Sequence, residues 1–275
     1  LMDSDSPEPL VDEPLELPDK PSIAVLPFDN MNKNPDQEYF SDGLTEQIIN
    51  GLCKVSNLFV IGRNSSFAYK GKSISTKQIA QELGVRYILE GSVQTAGGRV
   101  RITAQLIDAT TDYHMWSESY DRDLTDIFAL QDEITMKLMS AMEINLTAGE
   151  QARLWEGGTT NIQAYDRQMR GMACFFRSNE KDNKQARQYF KETINIDNSF
   201  AFAYVLLGYT HIMDLMLGWS KSSIKSFEQA EINVEKALAL NESLDVAHTL
   251  LSSICLFKRQ HDEAIKEGER AIELN

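Results

Sequence analysis

The sequence predicts two folded parts in tandem, an α/β domain with a mixed sheet followed by an all-α array of helical repeats. Three observations carry this prediction. Val85–Val93 and Arg99–Ile107 are runs of alternating side chains around Gly97-Gly98, a pair that reaches positive φ without a Cβ clash and so marks a tight hairpin. Strand-like and helix-like patterns alternate on both sides of that hairpin over residues 21–150, as in α/β domains. Beyond residue 159 the strand signals stop, and helical periodicity recurs with a period of ~34 residues.

The hairpin places Val100, Ile102, Ala104 and Leu106 on one face and Arg99, Arg101, Thr103 and Gln105 on the other. One face must therefore be covered by flanking segments. Before it, Ser22–Phe28 is an apolar run closed by Pro27, a buried strand ending near Leu26. Leu44, Ile48, Ile49 and Leu52 recur at helical spacing, with Ser41 or Asp42 as the expected N-cap. Leu58–Ile61 reads as the next strand. Ser75 and Gln78 form a capping-box pattern that opens a short helix through Ile79, Ala80 and Leu83, and Gly84 closes it. After the hairpin, the turn-rich Asp108–Asp112 leads to an expected strand from His114 to Tyr120. Ile127, Leu130, Ile134, Leu138 and Met142 then stripe a long helix that starts at Asp123 or Thr125. The domain is placed at 21–150. Residues 147–160 form the boundary, loosest at Gly157-Gly158, and the repeats occupy 159–275.

Composition narrows the function classes. The chain has 275 residues, 42% hydrophobic and 25% charged, as in ordinary globular proteins with room for two domains. Of the net charge of −14, residues 1–20 hold −6: seven acids (Asp3, Asp5, Glu8, Asp12, Glu13, Glu16, Asp19) against Lys20. With Pro7, Pro9, Pro14 and Pro18 among those acids, residues 1–20 read as an extended linker. An acidic chain without a basic stripe is repelled by phosphate backbones, so no nucleic-acid partner is expected. Cys53, Cys174 and Cys255 each sit in an apolar helical pattern, where cysteine acts as a small reduced hydrophobe. No apolar run approaches the ~18 residues of a membrane span, and no signal peptide opens the chain. The expected compartment is the cytoplasm. Leu1 and Asn275 both read as cuts, however, and a periplasmic location behind a missing upstream segment stays open.

Motifs that carry chemistry are weak. Gly71-Lys72-Ser73 has Ser66 where a phosphate-binding loop needs its first glycine, so it reads as a surface turn. His114, His211, His248 and His261 lack metal-ligand spacing and cysteine partners, so no metal is expected. Glu118 and Asp121-Arg122-Asp123 fit a helix cap and ion pairs better than an acid–base pair. Asn64-Ser-Ser66 and Asn145-Leu-Thr147 match the glycosylation pattern without further support. Arg63-Asn64-Ser65-Ser66 follows a strand, where open α/β sheets place ligands. These four residues are the small-molecule candidate, against a satisfied polar loop. No catalytic residue and no cofactor is assigned.

In the second part, His248, Leu251, Ser252, Cys255, Ala264, Gly268 and Ala271 fall at offsets 4, 7, 8, 11, 20, 24 and 27 of a unit. Tyr204, Leu207, Gly208 and His211, then Ala230, Val234 and Ala237, fill the same offsets in an earlier unit with ten extra residues between them. Gly171, Ala186, Phe190 and Thr193 mark a first unit with three extra residues. This grammar resembles the tetratricopeptide repeat, in which small residues at offsets 8, 20 and 27 let antiparallel helices approach. Asn198 and Glu242 depart from it where proline commonly ends a unit, and Gly268 replaces a large residue. The resemblance implies a concave groove lined by offsets 2, 5, 9 and 12. These are Tyr165, Gln168, Met172 and Phe175; Phe202, Val205, Tyr209 and Ile212; and Val246, Thr249, Ser253 and Leu256. The lining is apolar and aromatic without a Lys or Arg clamp, so a protein or peptide partner would be held by its own apolar side chains. The alternative is a groove filled from within, by the Met213–Trp219 insertion or by the α/β domain. Self-association stays open as well.

Residues 21–145 resemble a bacterial domain related to the amino-terminal domain of TolB. The matching text is Pro21-Ser-Ile-Ala-Val-Leu-Pro-Phe28, Glu38-Tyr-Phe-Ser-Asp-Gly-Leu-Thr45, Arg63-Asn-Ser-Ser-Phe67, Leu83-Gly-Val-Arg-Tyr-Ile-Leu-Glu-Gly-Ser92, Val100-Arg-Ile-Thr-Ala-Gln-Leu-Ile-Asp108 and Asp121-Arg-Asp-Leu124. The resemblance implies a pair of domains lying C-terminal to an output domain, often a class III adenylate/guanylate cyclase and sometimes a winged-helix DNA-binding domain. Leu15-Glu-Leu-Pro-Asp-Lys-Pro21 looks like the junction that follows a cyclase. Neither output domain lies in this sequence. The expectation is a non-enzymatic regulatory and protein-interaction region of a bacterial signalling protein, linked to cyclic-nucleotide signalling. The alternatives are a small-molecule sensor of a transcriptional regulator and a periplasmic scaffold.

Overall fold

The computed structural model describes residues 17–32, 34, 37–144, 146 and 158–274. Most of the expected linker and of the expected boundary at 147–160 lies outside the described residues. The strands are β1 (Ser22–Val25), β2 (Asp29–Asn30), β3 (Phe59–Val60), β4 (Tyr87–Ala96), β5 (Arg99–Asp108) and β6 (Tyr113–Asp123). They form one mixed sheet in the order β3-β1-β4-β5-β6, with β2 beside β4. β1 runs parallel to both its neighbours, and β4, β5 and β6 are antiparallel.

Gly97 and Gly98 both adopt positive φ (57° and 80°), the two-residue turn that matches the twist of the flanking strands. The hairpin it closes is in register from Ala96↔Arg99 to Tyr87↔Asp108. A bulge beside Leu106 and Ile107 then shifts the β5–β6 register. Pro27 interrupts the chain between β1 and β2, both of which lie along β4. The Phe28 N–H turns away and donates to Thr45 Oγ1 at 3.0 Å. The Phe28 ring drops onto β4 at Gly91, where a Cβ would meet it at 2.6 Å and the Thr103 carbonyl at 2.4 Å.

Val100, Ile102, Ala104 and Leu106 are fully buried as the alternation predicts. They face α1 (Glu38–Cys53) and α4 (Ile127–Ala141), whose Ile127, Leu130, Ile134 and Leu138 are buried. The opposite face is covered at one end by α3 (Thr76–Leu83), through Ile79 and Ala80 against Ala24 and Ile88. Ser75 Oγ accepts from the Gln78 N–H and Gly84 closes α3 at φ 64°, both as expected. The rest of that face is solvated and carries exposed Arg99–Asp121 and Arg101–Asp121 ion pairs, each worth little.

Several boundaries differ from the sequence expectation. α1 begins at Glu38, before Ser41 and Asp42, and Gln37 makes no side-chain cap. Burial of Phe40 against Tyr165 of the repeats extends the helix backwards. Residues 63–67, expected as a polar loop, form the short helix α2 (Arg63–Phe67). β6 runs from Tyr113 to Asp123, longer than expected, and a 3-10 turn over Leu124–Asp126 precedes α4.

The second part is three tetratricopeptide-type helical hairpins: α5 (Ile162–Phe175) with α6 (Glu180–Ile196), α7 (Ala201–Met216) with α8 (Ser223–Leu240), and α9 (Asp245–Phe257) with α10 (His261–Leu274). Small residues sit at the crossings. A Cβ on Gly171 would lie 2.5 Å from the Phe190 ring, and one on Gly208 would lie 2.7 Å from Leu250.

The contact at Gly91 is testable. Gly91→Ala is expected to cost about 1–3 kcal/mol, because Phe28 and the β5 backbone must both give way. Urea denaturation checks this, and an unchanged midpoint would contradict the close approach.

Candidate functional site

The helix α2 separates the four residues of the small-molecule candidate. Arg63 and Ser66 lie three apart and turn inward, whereas Asn64 and Ser65 are exposed. Arg63 is held on both faces of its guanidinium and beside a carboxylate. Its guanidinium carbon lies 3.9 Å from the centre of the Phe67 ring and 3.7 Å from that of Phe176, at the end of α5. Its Nε is 3.2 Å from Glu46 Oε2, close enough for an ion pair but without hydrogen-bond alignment. Ser66 Oγ is fully buried and without a partner. The expected ligand loop is thus a strut between the α/β domain and the repeats.

Glu46 is the counterpart of that strut, in the middle of the apolar surface of α1. Burial pushes its carboxyl up to about 7, and the Arg63 charge opposes the rise. A second polar contact lies two turns earlier. Tyr39 Oη donates to Asp166 Oδ1 at 2.6 Å and accepts from Arg170 Nη2 at 2.8 Å, and the Arg170 guanidinium lies over the Tyr39 ring at 4.2 Å. Lys70 from the end of α2 pairs with Asp42 and Glu38 on the same helix. Between these contacts Gly43 lets Met169 of α5 approach so closely that a Cβ would overlap its sulfur. Toward the far end of α1, burial and the charge of Asp245 at the start of α9 push the Cys53 thiol up to about 11.

The expected groove lining is divided by these contacts. Tyr165 is buried against Phe40 and Phe128, with its hydroxyl 2.6 Å from Gln131 Nε2. Met172 packs with Phe190 and Leu206, and Val205 and Ile212 pack with Leu250 and Ile254. These four are core residues, a correction to the open-groove expectation. Gln168 is buried too. Phe175, Phe202, Tyr209 and Val246 stay half-buried, and Leu256 is 57% exposed. The α/β domain fills the first unit's share of the groove, while the insertion leaves Met216 and Leu217 exposed.

The remaining candidates are structural. His211 is buried between Arg187 and Asp214, and burial first, then Arg187, holds its imidazole down at about 4. His248 bonds Glu267 Oε2 at 2.7 Å and the Glu242 carbonyl at 2.9 Å. Among the described residues no group of three His, Cys, Asp or Glu could hold a metal, and no helix is long and apolar enough to cross a membrane. One cleft of about 250 Å³ lies between the hairpin tip and α5, lined by Gln37, Tyr39, Thr95, Arg99, Tyr165 and Asp166. Sequence reasoning missed Tyr39, Glu46, Asp166, Arg170 and Phe176. Glu46 between Leu44 and Ile48 was a usable signal, since a charge on an apolar helix face needs a partner.

The arrangement defines a two-part module whose polar centre joins its parts. Residues 19–137 match the family model of the HilA/YgeH-like transcriptional regulator, second domain. The chain is 44% identical over 251 residues to Putative adenylate cyclase 3 of Rhizobium meliloti (strain 1021), covering 91% of this chain and 43% of that protein. The chain therefore spans well under half the length of this relative. Among solved structures it is similar to TolB from Acinetobacter baumannii (TM-score 0.34, 15% identity, 47% of this chain and 29% of that one). It is also similar to the second TPR of Spaghetti (RPAP3) bound to HSP90 peptide SRMEEVD (0.34, 21%, 41% and 93%) and to MamA (0.33, 18%, 55% and 77%). At these scores the structural likenesses carry no argument about function.

Removing either member of the buried pair has a signed pH dependence. The Glu46 value is raised on folding, so its stabilising contribution is full below about 4.5 and lost as pH rises through about 7. Arg63→Ala is expected to cost about 3–5 kcal/mol at pH 8, where the wild-type carboxylate loses its counter-charge and must take up a proton or stay charged without a partner, and clearly less at pH 5.5, where Glu46 is already protonated. Glu46→Gln shows the opposite trend, its stability gaining on wild type as pH rises from 5 to 8. Urea denaturation at both pH values checks the two slopes.

Proposed function

We propose that this chain is a non-catalytic regulatory and protein-interaction region of a bacterial signalling protein, of the kind attached to an adenylate or guanylate cyclase. The observation that carries the reading is the similarity to Putative adenylate cyclase 3 over 91% of this chain and only 43% of that protein, which leaves length there for a separate output domain. The geometry supports it. The best-formed polar cluster, around Arg63 and Glu46, joins two folded parts and leaves no free face for a substrate. In this reading the α/β domain and the first hairpin move together, and the later hairpins recruit a protein partner through Phe202, Tyr209, Val246 and Leu256.

A second reading is favoured by the family-model match over residues 19–137. It makes the α/β domain the sensing part of a transcriptional regulator, with the cleft beside Tyr39 and Thr95 as its small-molecule site. A thermal-shift screen with nucleotides and sugars separates the two, since a ligand of the native state raises its melting temperature. The first reading expects no shift.

The recruiting surface has its own test. Using the chain as bait in a lysate of the source bacterium, Phe202→Ala with Tyr209→Ala is expected to lower recovery of a specific partner about tenfold, as for loss of an aromatic anchor. Equal recovery would remove the groove from the reading. Incubation of the chain with ATP or GTP and a divalent cation is expected to give no cyclic nucleotide.

A further inference from the structure

The α7–α8 hairpin stands out from its neighbours. Counted from the small residue at each crossing, α7 continues eight residues past Gly208 to Met216. By the same count α5 ends four past Gly171 and α9 five past Ser252. On the return, α8 starts at Ser223, seven residues before Ala230, against six for α6 before Ala186 and three for α10 before Ala264, so the extension lies mainly on α7. The tip therefore projects by about one helical turn, ~5 Å.

The tip is apolar and basic. Met216 is 67% exposed, Leu217 49% and Ile224 72%, with Trp219 half-buried between them. Lys221 and Lys225 are exposed on the same turn. From Leu215 to Phe227 there is no Asp or Glu, in a chain with 41 acids and a net charge of −14. The nearest acid before it, Asp214, is buried and turned inward onto Asn183 (2.7 Å) and Arg187 (2.6 Å).

The exposure does not come from a frayed loop, because the backbone is closed on itself. Leu217 N–H donates to the Met213 carbonyl, and Trp219 and Ser220 N–H both donate to that of Asp214, at 2.8–3.0 Å. Gly218 takes φ 70° to make that turn, the Ser222 side chain caps α8, and Ser220 and Ser226 hydroxyls bond at 2.8 Å. A turn with satisfied backbone groups can enter an apolar interface without stranding polar atoms.

We propose that this tip is a membrane-surface anchor, which inserts Met216, Leu217, Trp219 and Ile224 at the headgroup–acyl boundary of an anionic bilayer while Lys221 and Lys225 meet lipid phosphates. Apolar side chains beside lysines, with a Trp among them, match the chemistry of that boundary. The local positive charge in an acidic chain also orients the approach. The projecting lysines lie nearer an approaching surface than the acids of the body do, and attraction falls off over ~8 Å at physiological salt, so the nearest charges weigh most. A protein groove would bury the same apolar groups, but it gives no reason for an acid-free stretch with two exposed lysines.

Co-sedimentation of the full chain with phosphatidylcholine vesicles, and with vesicles holding a third phosphatidylglycerol, tests this. Binding is expected to the anionic vesicles only. Lys221→Gln with Lys225→Gln is expected to weaken it about 25-fold, at roughly a factor of five per lysine. Leu217→Ser with Ile224→Ser is expected to abolish it. All four positions are exposed, so the melting temperature of each variant should stay at the wild-type value, and Arg259→Gln on the neighbouring turn should leave binding unchanged. Absent binding, equal binding to both vesicle types, or variants that sediment like wild type would each overturn the proposal. A wild-type chain that ignores vesicles but forms a discrete complex with a purified protein would place a protein on the tip instead.

Discussion

The structure depends on α1 being buried on two sides. Along one side Leu44, Ile48 and Leu52 complete the core beneath β5 and β4, and along the other Phe40 and Gly43 receive Tyr165 and Met169 from α5. The sheet and the first repeat hairpin therefore share a single apolar core. A helix used this way cannot show one polar face, and α1 buries Ser41, Thr45 and Glu46 along with its apolar residues. Each of those polar groups then needs an internal partner. Ser41 Oγ donates to the Glu38 carbonyl, Thr45 accepts from Phe28, and Glu46 faces Arg63.

That last pair explains why the motif expected as a ligand loop turns its arginine inward. Arg63 stacks between two rings and opposes a carboxylate whose burial alone would keep it protonated near neutrality. A guanidinium is suited to this, since its flat faces take aromatic rings while its edge takes a carboxylate. Phe176, the second ring, belongs to the repeats. The strut is thus complete only when both parts of the chain are in place, as is the Tyr39–Asp166–Arg170 cluster.

Local chemistry was legible where it is decided locally. The Gly97-Gly98 turn, the Ser75 cap, Gly84 and the alternation through Val100–Leu106 are dictated by φ, capping and period, and each stands as the sequence predicts. The repeat grammar was legible for the same reason, since Gly171 and Gly208 mark backbone approach whatever surrounds them. Elements set by tertiary contact were not. α1 starts early because Phe40 has a ring to meet, and the loop at Arg63 becomes a helix because its ends face inward. The sequence left the groove open between a partner and the chain itself for one reason: offsets say which side of a helix faces a concave surface but not what else occupies it. Tyr165 satisfies the offset rule and is buried by α1 all the same.

The occupied groove also shifts where new contacts can form. With the first hairpin committed to α1, the surfaces still open include the half-buried aromatics of the later units and the apolar tip at Met216 and Leu217. Both lie on hairpins that share no core with the sheet, since Val205, Ile212, Leu250 and Ile254 form their own cluster. A contact made there reaches the α/β domain along the α6–α7 seam, where Asn183 and Arg187 bond Thr210 and Asp214, and at the start of α9, where the Asp245 charge acts on Cys53 of α1. That seam is polar and buried, so displacing it strands hydrogen-bonding groups, and it resists sliding more than an apolar seam of equal size would.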